Sequence, residues 1–244
     1  DQQTALTEIK SKEWRITAAA HHQHQDTDAY EVASQIWFDQ VLKGTFSTPK
    51  TPVTDIVLDA QDSIPLFHVT PDPARKILSV DIFYTQQADR IAQDRFWHHA
   101  KPQQTGSTWS AAVPILTTGK PLWVYANVLY ALDAPISGAG YYYHTYTTSA
   151  FNLSSPLTMV SPTQLSAAGV KATMQPSLLI EDFTGDWEKE WYSYKRGQGL
   201  WERNTRKICD EAYKAPAGSK LIVDAQSDKA GKLLVQLDDK TAKI

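Results

Sequence analysis

Between residues 53 and 160 the chain repeats one pattern, in which short apolar runs are separated by turn-forming residues. The runs are VTDIVLDA (53–60), IPLFHVT (64–70), ILSVDIFYT (77–85), STWSAAVPI (107–115), PLWVYANVLYAL (121–132) and FNLSSPLTMV (151–160). Leu78, Val80, Ile82 and Tyr84 alternate with the residues between them, and so do Trp109, Ala111 and Val113. Side chains two apart on a strand share a face, so this alternation marks half-buried strands. Each such strand needs neighbours for its backbone and a second layer for its apolar face. The pattern therefore predicts a mainly β fold.

About six or seven strands, with turns at intervals of roughly 8–20 residues, predict an immunoglobulin-like or fibronectin-like sandwich over residues 51–160. One long helix precedes it. In DTDAYEVASQIWFDQVLKG the apolar residues Tyr30, Val32, Ala33, Ile36, Trp37, Val41 and Leu42 fall at helical spacings. Asp26, Thr27 and Asp28 offer N-cap oxygens, and Gly44 offers the stop. KEWRITAAA (12–20) reads as a short buried strand, and TFSTPKTPVTD as a linker. After the sandwich, SPTQLSAAGV places Ser161 as cap, Pro162 at the first helical position and Gly169 as stop, within a linker over 161–176. SLLIEDF, EKEWYSY, WERNTRKI, SKLIVDAQ and KLLVQLD then read as further strands between Gly-containing turns. About five strands fit where a jelly roll has about eight, so residues 177–244 are expected to form a partial jelly-roll-like sandwich.

Composition narrows the function classes. The 244 residues carry a formal net charge of -3 with no long basic run, which argues against a phosphate backbone as partner. No apolar stretch approaches the length of a membrane span, so no membrane partner is expected. DQQTALTEIKSKEW is too polar for a signal peptide. The single cysteine, Cys209, leaves no internal disulfide and no cysteine-rich zinc site.

Three groups of residues could carry chemistry. The stretch AAAHHQHQDTD holds His21, His22 and His24 within four positions. Two of them could ligate a metal, but a stable zinc site takes three or four ligands and spacing fixes no third; an exposed polar loop is the plain alternative. Trp187, Trp191, Tyr194 and Trp201 could form a stacking surface for sugar rings, or could be strand-packing aromatics. Arg203 could pair with an acidic group on such a glycan. On a regular strand, however, Arg203 and Arg206 point to opposite faces. Glu181 and Asp182, near Asp186, could hold a structural calcium or be solvated turn acids. His98 and His99 in RFWHHA read as strand-edge residues, and neither His68 nor His144 is placed for catalysis.

Three stretches together resemble a group of exported bacterial α/β-hydrolases, esterase-like or dienelactone-hydrolase-like, with β-sandwich extensions. They are AAAHHQHQDTDAYEVASQIWFDQVLKG, DIFYTQ…DRFWHHAKPQQTGSTWSAAVPI…KPLWVYANVLY, and LLIEDFTGDWEKEWYSY. The resemblance implies that residues 1–46 are the last strand, histidine loop and closing helix of the hydrolase fold. It implies that the third stretch opens a module similar to carbohydrate-binding jelly rolls. One of His22, His21 or His24, in that order of choice, would then be the triad histidine. The chain has no G-x-S-x-G elbow. The resemblance therefore places the serine and the acid before Asp1, in a missing N-terminal hydrolase region. It implies a secreted or periplasmic enzyme acting on esters, with polysaccharide esters as candidate substrates and no catalytic cofactor. A non-catalytic carbohydrate-binding module is the alternative.

Overall fold

The computed structural model describes residues 2–11, 13–21, 28–59, 61–92, 94–139, 145–193 and 202–237. The chain forms two compact units, Asp1–Lys214 and Ala215–Ile244. All strands and α-helices among the described residues lie in the first. None of those helices is long and apolar enough to cross a membrane.

Among the described residues, nine strands form two antiparallel sheets. They are β1 (Val53–Val57), β2 (Leu66–Thr70), β3 (Ile77–Thr85), β4 (His98–Ala100), β5 (Gln103–Thr105), β6 (Thr108–Ala112), β7 (Leu122–Ala139), β8 (Thr145–Ser154) and β9 (Thr158–Val160). One sheet runs β1-β2-β6-β5. The other runs β4-β3-β7-β8, with β9 paired to the first residues of β7. The mainly β expectation holds, and the two layers are those of a sandwich. Phe67, Val69 and Ala111 from the first sheet share one core with Val80, Ile82, Val124, Ala126, Val128, Phe151 and Leu153 from the second. The alternation of Ala111 and Val113 is seen as expected, with Trp109 packed at the margin.

Leu78 departs from its expected face. A bulge between Ile77 and Ser79 turns it outward, 45% exposed, and Ile77 packs on the core instead. The helix also departs at its end. α2 (Asp28–Phe38) buries Val32 and Ile36, then widens into a π-helical turn, Asp39–Lys43, closed by Gly44 at φ 65°. The wider turn breaks the 3.6-residue period, and Val41 and Leu42 point to solvent. A short α1 (Gln2–Glu8) precedes it. α3 (Pro162–Ala167) has the expected Ser161 cap, completed by Gln164 as a capping box.

The outer face of the second sheet is also covered. Ala20, Phe83 and Tyr125 make a small second core, flanked by Ala18, Trp97 and Leu157. Beside it runs a polar seam. The Ser154 N–H donates to Ile16 O at 2.8 Å and the Ala18 N–H to Ser154 Oγ at 2.8 Å. Asn127 Nδ2 donates to Ala18 O at 3.0 Å and to the Tyr30 hydroxyl at 3.1 Å. Residues 13–21 are thus bound to the sheet, but through a single bridge, Ile16 to Ser154, rather than as the expected strand.

The strands expected beyond residue 177 are not formed among the described residues. Residues 177–214 instead make 3₁₀ turns at Trp187–Glu190, Lys207–Cys209 and Glu211–Tyr213, and one bridge, Tyr192 to Asn204. Side chains intercept the backbone here. Ser177 Oγ accepts from the Leu179 N–H, Glu181 Oε1 from the Asp182 and Phe183 N–H groups, and Asp182 Oδ1 from the Thr184 N–H. Such local bonds compete with sheet pairing. In the second unit the described residues, 215–237, hold no helix or strand, and Ile222 and Leu234 stand in solvent. Two short strands alone are at best marginal in water.

Gly138 marks a close approach. A Cβ there would lie 2.7 Å from the Tyr146 hydroxyl and 2.8 Å from Gln35 Oε1. Gly138→Ala should therefore lower stability by about 1–3 kcal/mol, read as a shifted urea midpoint with unchanged slope.

Candidate functional site

The histidine corner is fastened at its first member. His21 shares a hydrogen bond with Lys189 O through Nε2, at 3.1 Å, and stacks on Tyr192 with ring centroids 5.4 Å apart. Burial outweighs the carbonyl bond and the nearby Glu190, and lowers the pKa to about 4. A ring held neutral, with Nε2 committed to a carbonyl, is a structural group. His22 and His24 lie outside the described residues.

The aromatic group is only partly in view, because Tyr194 and Trp201 also lie outside the described residues. Trp187 packs at steep angles on both Phe183 and Trp191, while Phe183 and Trp191 are tilted by 44°. Trp187 meets Trp191 at 80° with centroids 5.9 Å apart, and Phe183 meets Trp187 at 83°. Trp191 Nε1 donates to Glu181 Oε2 at 2.8 Å. Arg203 donates to Glu188 at 2.8 Å and sits 6.0 Å from the Trp187 ring centroid. Trp187 thus meets both of its ring neighbours edge to face, and the three rings are not coplanar.

The acids near residue 181 are engaged as well. Besides its turn bonds, Glu181 accepts from Lys207 Nζ at 2.8 Å. Asp182 Oδ1 accepts from the Thr184 hydroxyl at 2.7 Å, and Asp186 pairs with Lys101 at 2.8 Å. Among the described residues, no group of three or more His, Cys, Asp or Glu side chains could hold a metal ion.

A network that the sequence did not suggest ties residues 177–214 to the sandwich. Lys207 is 5% exposed and bridges Glu181 and Glu190, at 2.8 and 2.7 Å. The other oxygen of Glu190 accepts from the His99 N–H at 2.9 Å. His99 Nε2 meets Asp81 Oδ1 at 3.0 Å, and Lys189 Nζ donates to Asp81 Oδ2 at 2.7 Å. His98, its neighbour on β4, faces the other way, as adjacent strand residues must. It pairs with Asp210 at 3.4 Å and stacks against Tyr84 and Tyr213, with centroids 5.1 and 6.2 Å away.

The ionisations follow from these contacts. Burial pulls the Lys207 ammonium down, but the two carboxylates outweigh it and its pKa rises. Burial pushes Asp81 and Asp210 up. His99 with Lys189, and His98 with the Ala212 N–H, more than reverse this and hold both carboxyls below their usual range. Burial also raises the Tyr84 and Tyr213 hydroxyls. Chemically this is a set of fixed charges and imidazole–carboxylate pairs beside a cavity. Ser177 also lines the cavity, but its Oγ serves the turn to Leu179. No triad assembles among the described residues.

His98 and His99 do lie on an edge strand, as expected, yet they are hydrogen-bonded anchors rather than idle ones. Two adjacent histidines on a short strand, each needing a partner on an opposite face, are the one signal that points to the network in advance.

Lys207→Met should cost about 3–5 kcal/mol in chemical unfolding, because it leaves two carboxylates buried against each other. The His21 imidazole should titrate near pH 4 by NMR. A lowered pKa means that the unfolded chain takes up the proton first. His21 therefore leaves stability unaffected above about pH 6.5 and reduces it as pH falls from there towards 4. His21→Phe should flatten that decline. No protein-family model, curated protein or solved structure matches the chain.

Proposed function

We propose that the chain is the C-terminal region of an exported serine α/β-hydrolase acting on esters, with polysaccharide esters as the candidate substrates, and that its sandwich is the accessory part that positions the histidines. One observation carries the reading. His21 and helix α2, which flank residues 22–27 in the sequence, are both fastened to the same compact unit. His21 is bonded to Lys189 O and stacked on Tyr192, and α2 buries Val32 and Ile36 in the sandwich core. A general base needs such fixed ends, because misplacement by about an ångström costs orders of magnitude in rate. With His21 committed to a backbone carbonyl, His22 or His24 is left as the base. In this reading the sandwich is immunoglobulin-like. No step calls for a catalytic metal or cofactor. The alternative, a carbohydrate-binding module, has less support, because Trp187 meets Phe183 and Trp191 edge to face and the three rings are not coplanar.

A triad histidine without its serine performs no acyl transfer. The 244-residue chain alone should therefore leave p-nitrophenyl acetate at its background rate. A form extended by its natural upstream sequence should hydrolyse it, and should lose roughly 10³-fold or more in kcat on changing either His22 or His24 to Ala. Equal activity of the short and extended forms would sink the proposal.

A further inference from the structure

Among the described half-buried arginines, Arg206 alone has a guanidinium without a hydrogen bond. Arg15, Arg75 and Arg95 donate through Nε to Pro49 O, Ser47 O and Gln87 O, and Arg203 donates to Glu188. Arg206 Nε is shut off from solvent and has no acceptor. The Arg206 side chain is 14% exposed, and the nearest described carboxylate oxygen, Asp94 Oδ1, stops 4.0 Å away. At that distance the two charges attract, but no hydrogen bond forms. Arg206 also sits 5.7 Å from the Tyr192 ring centroid. A ring contact of that kind engages the charge and satisfies no N–H donor.

A guanidinium is always charged and presents a planar fork of N–H donors. Withdrawing it from water without acceptors is costly, which is why buried polar groups are almost always hydrogen-bonded. The backbone that carries this fork is nonetheless fixed on both sides. Thr205 Oγ1 donates to Glu190 O at 3.1 Å, Lys207 sits on Glu181 and Glu190, and Arg206 O accepts from the Cys209 N–H at 2.8 Å. An unsatisfied fork on a fixed backbone is preorganised for an acceptor from outside the chain. The group that matches it is a carboxylate, which can take two parallel N–H bonds. Arg206 also belongs to the histidine corner. The Tyr192 ring it approaches is the ring on which His21 stacks, and its charge helps to lower the His21 pKa.

We propose that Arg206 is a receptor for a carboxylate on the substrate, so that the ester processed at the histidine corner belongs to an acidic sugar. The inference rests on the hydrolase reading for the identity of the substrate. Carboxylate binding itself needs no serine, so it is measured on the 244-residue chain alone and fails or succeeds separately from the ester assay.

The test uses a near-isosteric pair of probes at pH 7, D-glucuronate and its neutral amide, D-glucuronamide. Glucuronate should saturably shift the Arg206 Nε–Hε signal in NMR titrations, and the amide should bind at least about tenfold more weakly, the difference between a charged and a neutral acceptor. Arg206→Gln should abolish the preference for glucuronate over the amide. Asp94→Asn removes the neighbouring carboxylate and leaves the fork in place, so it should tighten glucuronate several-fold; a purely structural Arg206–Asp94 pair would give no such gain. The proposal is overturned if glucuronate produces no saturable shift at Arg206, or if the amide binds as tightly. It is equally overturned if Arg206→Gln keeps the preference, or if Asp94→Asn leaves the affinity unchanged or weaker.

Discussion

A lysine that cannot reach water holds this structure together. Lys207 lies between Glu181 and Glu190, and Glu190 in turn grips the backbone of β4 at His99. Removing three charges from water costs several kcal/mol per ion, and only good geometry recovers it. Here the two Lys207 contacts are 2.7–2.8 Å, Glu181 also takes the Trp191 indole N–H, and Glu190 takes a backbone N–H. Among the described residues, no regular sheet joins 177–214 to the sandwich. Their attachment depends on this network, on His98 with Asp210, and on Asp81 with His99 and Lys189.

The second sheet makes the attachment possible because both of its faces are covered. Alternate residues of β7, from Leu122 to Tyr130, fill the inner core, while Tyr125 and Asn127 face outward under residues 13–21. The polar seam through Asn127 and Ser154 gives the N-terminal segment direction as well as affinity, since each bond fixes a register. His21, at the end of that segment, then meets Lys189 and Tyr192 from the C-terminal side. Segments from before and after the sandwich in the chain therefore meet at His21.

What could be read from the sequence was what local periodicity controls. β3 was expected over 77–85 and is found there. Gly44 and the Ser161 cap stop and start their helices as expected. What escaped were features that periodicity does not encode. The bulge that turns Leu78 outward and the π-helical turn that frees Val41 and Leu42 each insert one residue into an otherwise regular pattern. β4 and β5 are three-residue strands, too short to show alternation. The network escaped because its partners are distant in the chain: Asp81 and Lys189 lie 108 residues apart, and Glu190 and His99 lie 91 apart. The run SLLIEDF looked like a strand, but the side chains of Ser177, Glu181 and Asp182 take N–H groups there first.

The account turns on whether residues 177–214 are bound into the sandwich by buried charge. Native-state hydrogen exchange measures this directly, because each amide reports the free energy of the opening that exposes it. The Tyr192 and Asn204 amides, paired across the isolated bridge, should be protected to nearly the same free energy as those of β7. In Lys207→Met they should lose protection by several kcal/mol more than the β7 amides do. Amides at Tyr192 and Asn204 that exchange freely in the unaltered protein, or that respond to Lys207→Met no more than β7 does, would contradict it.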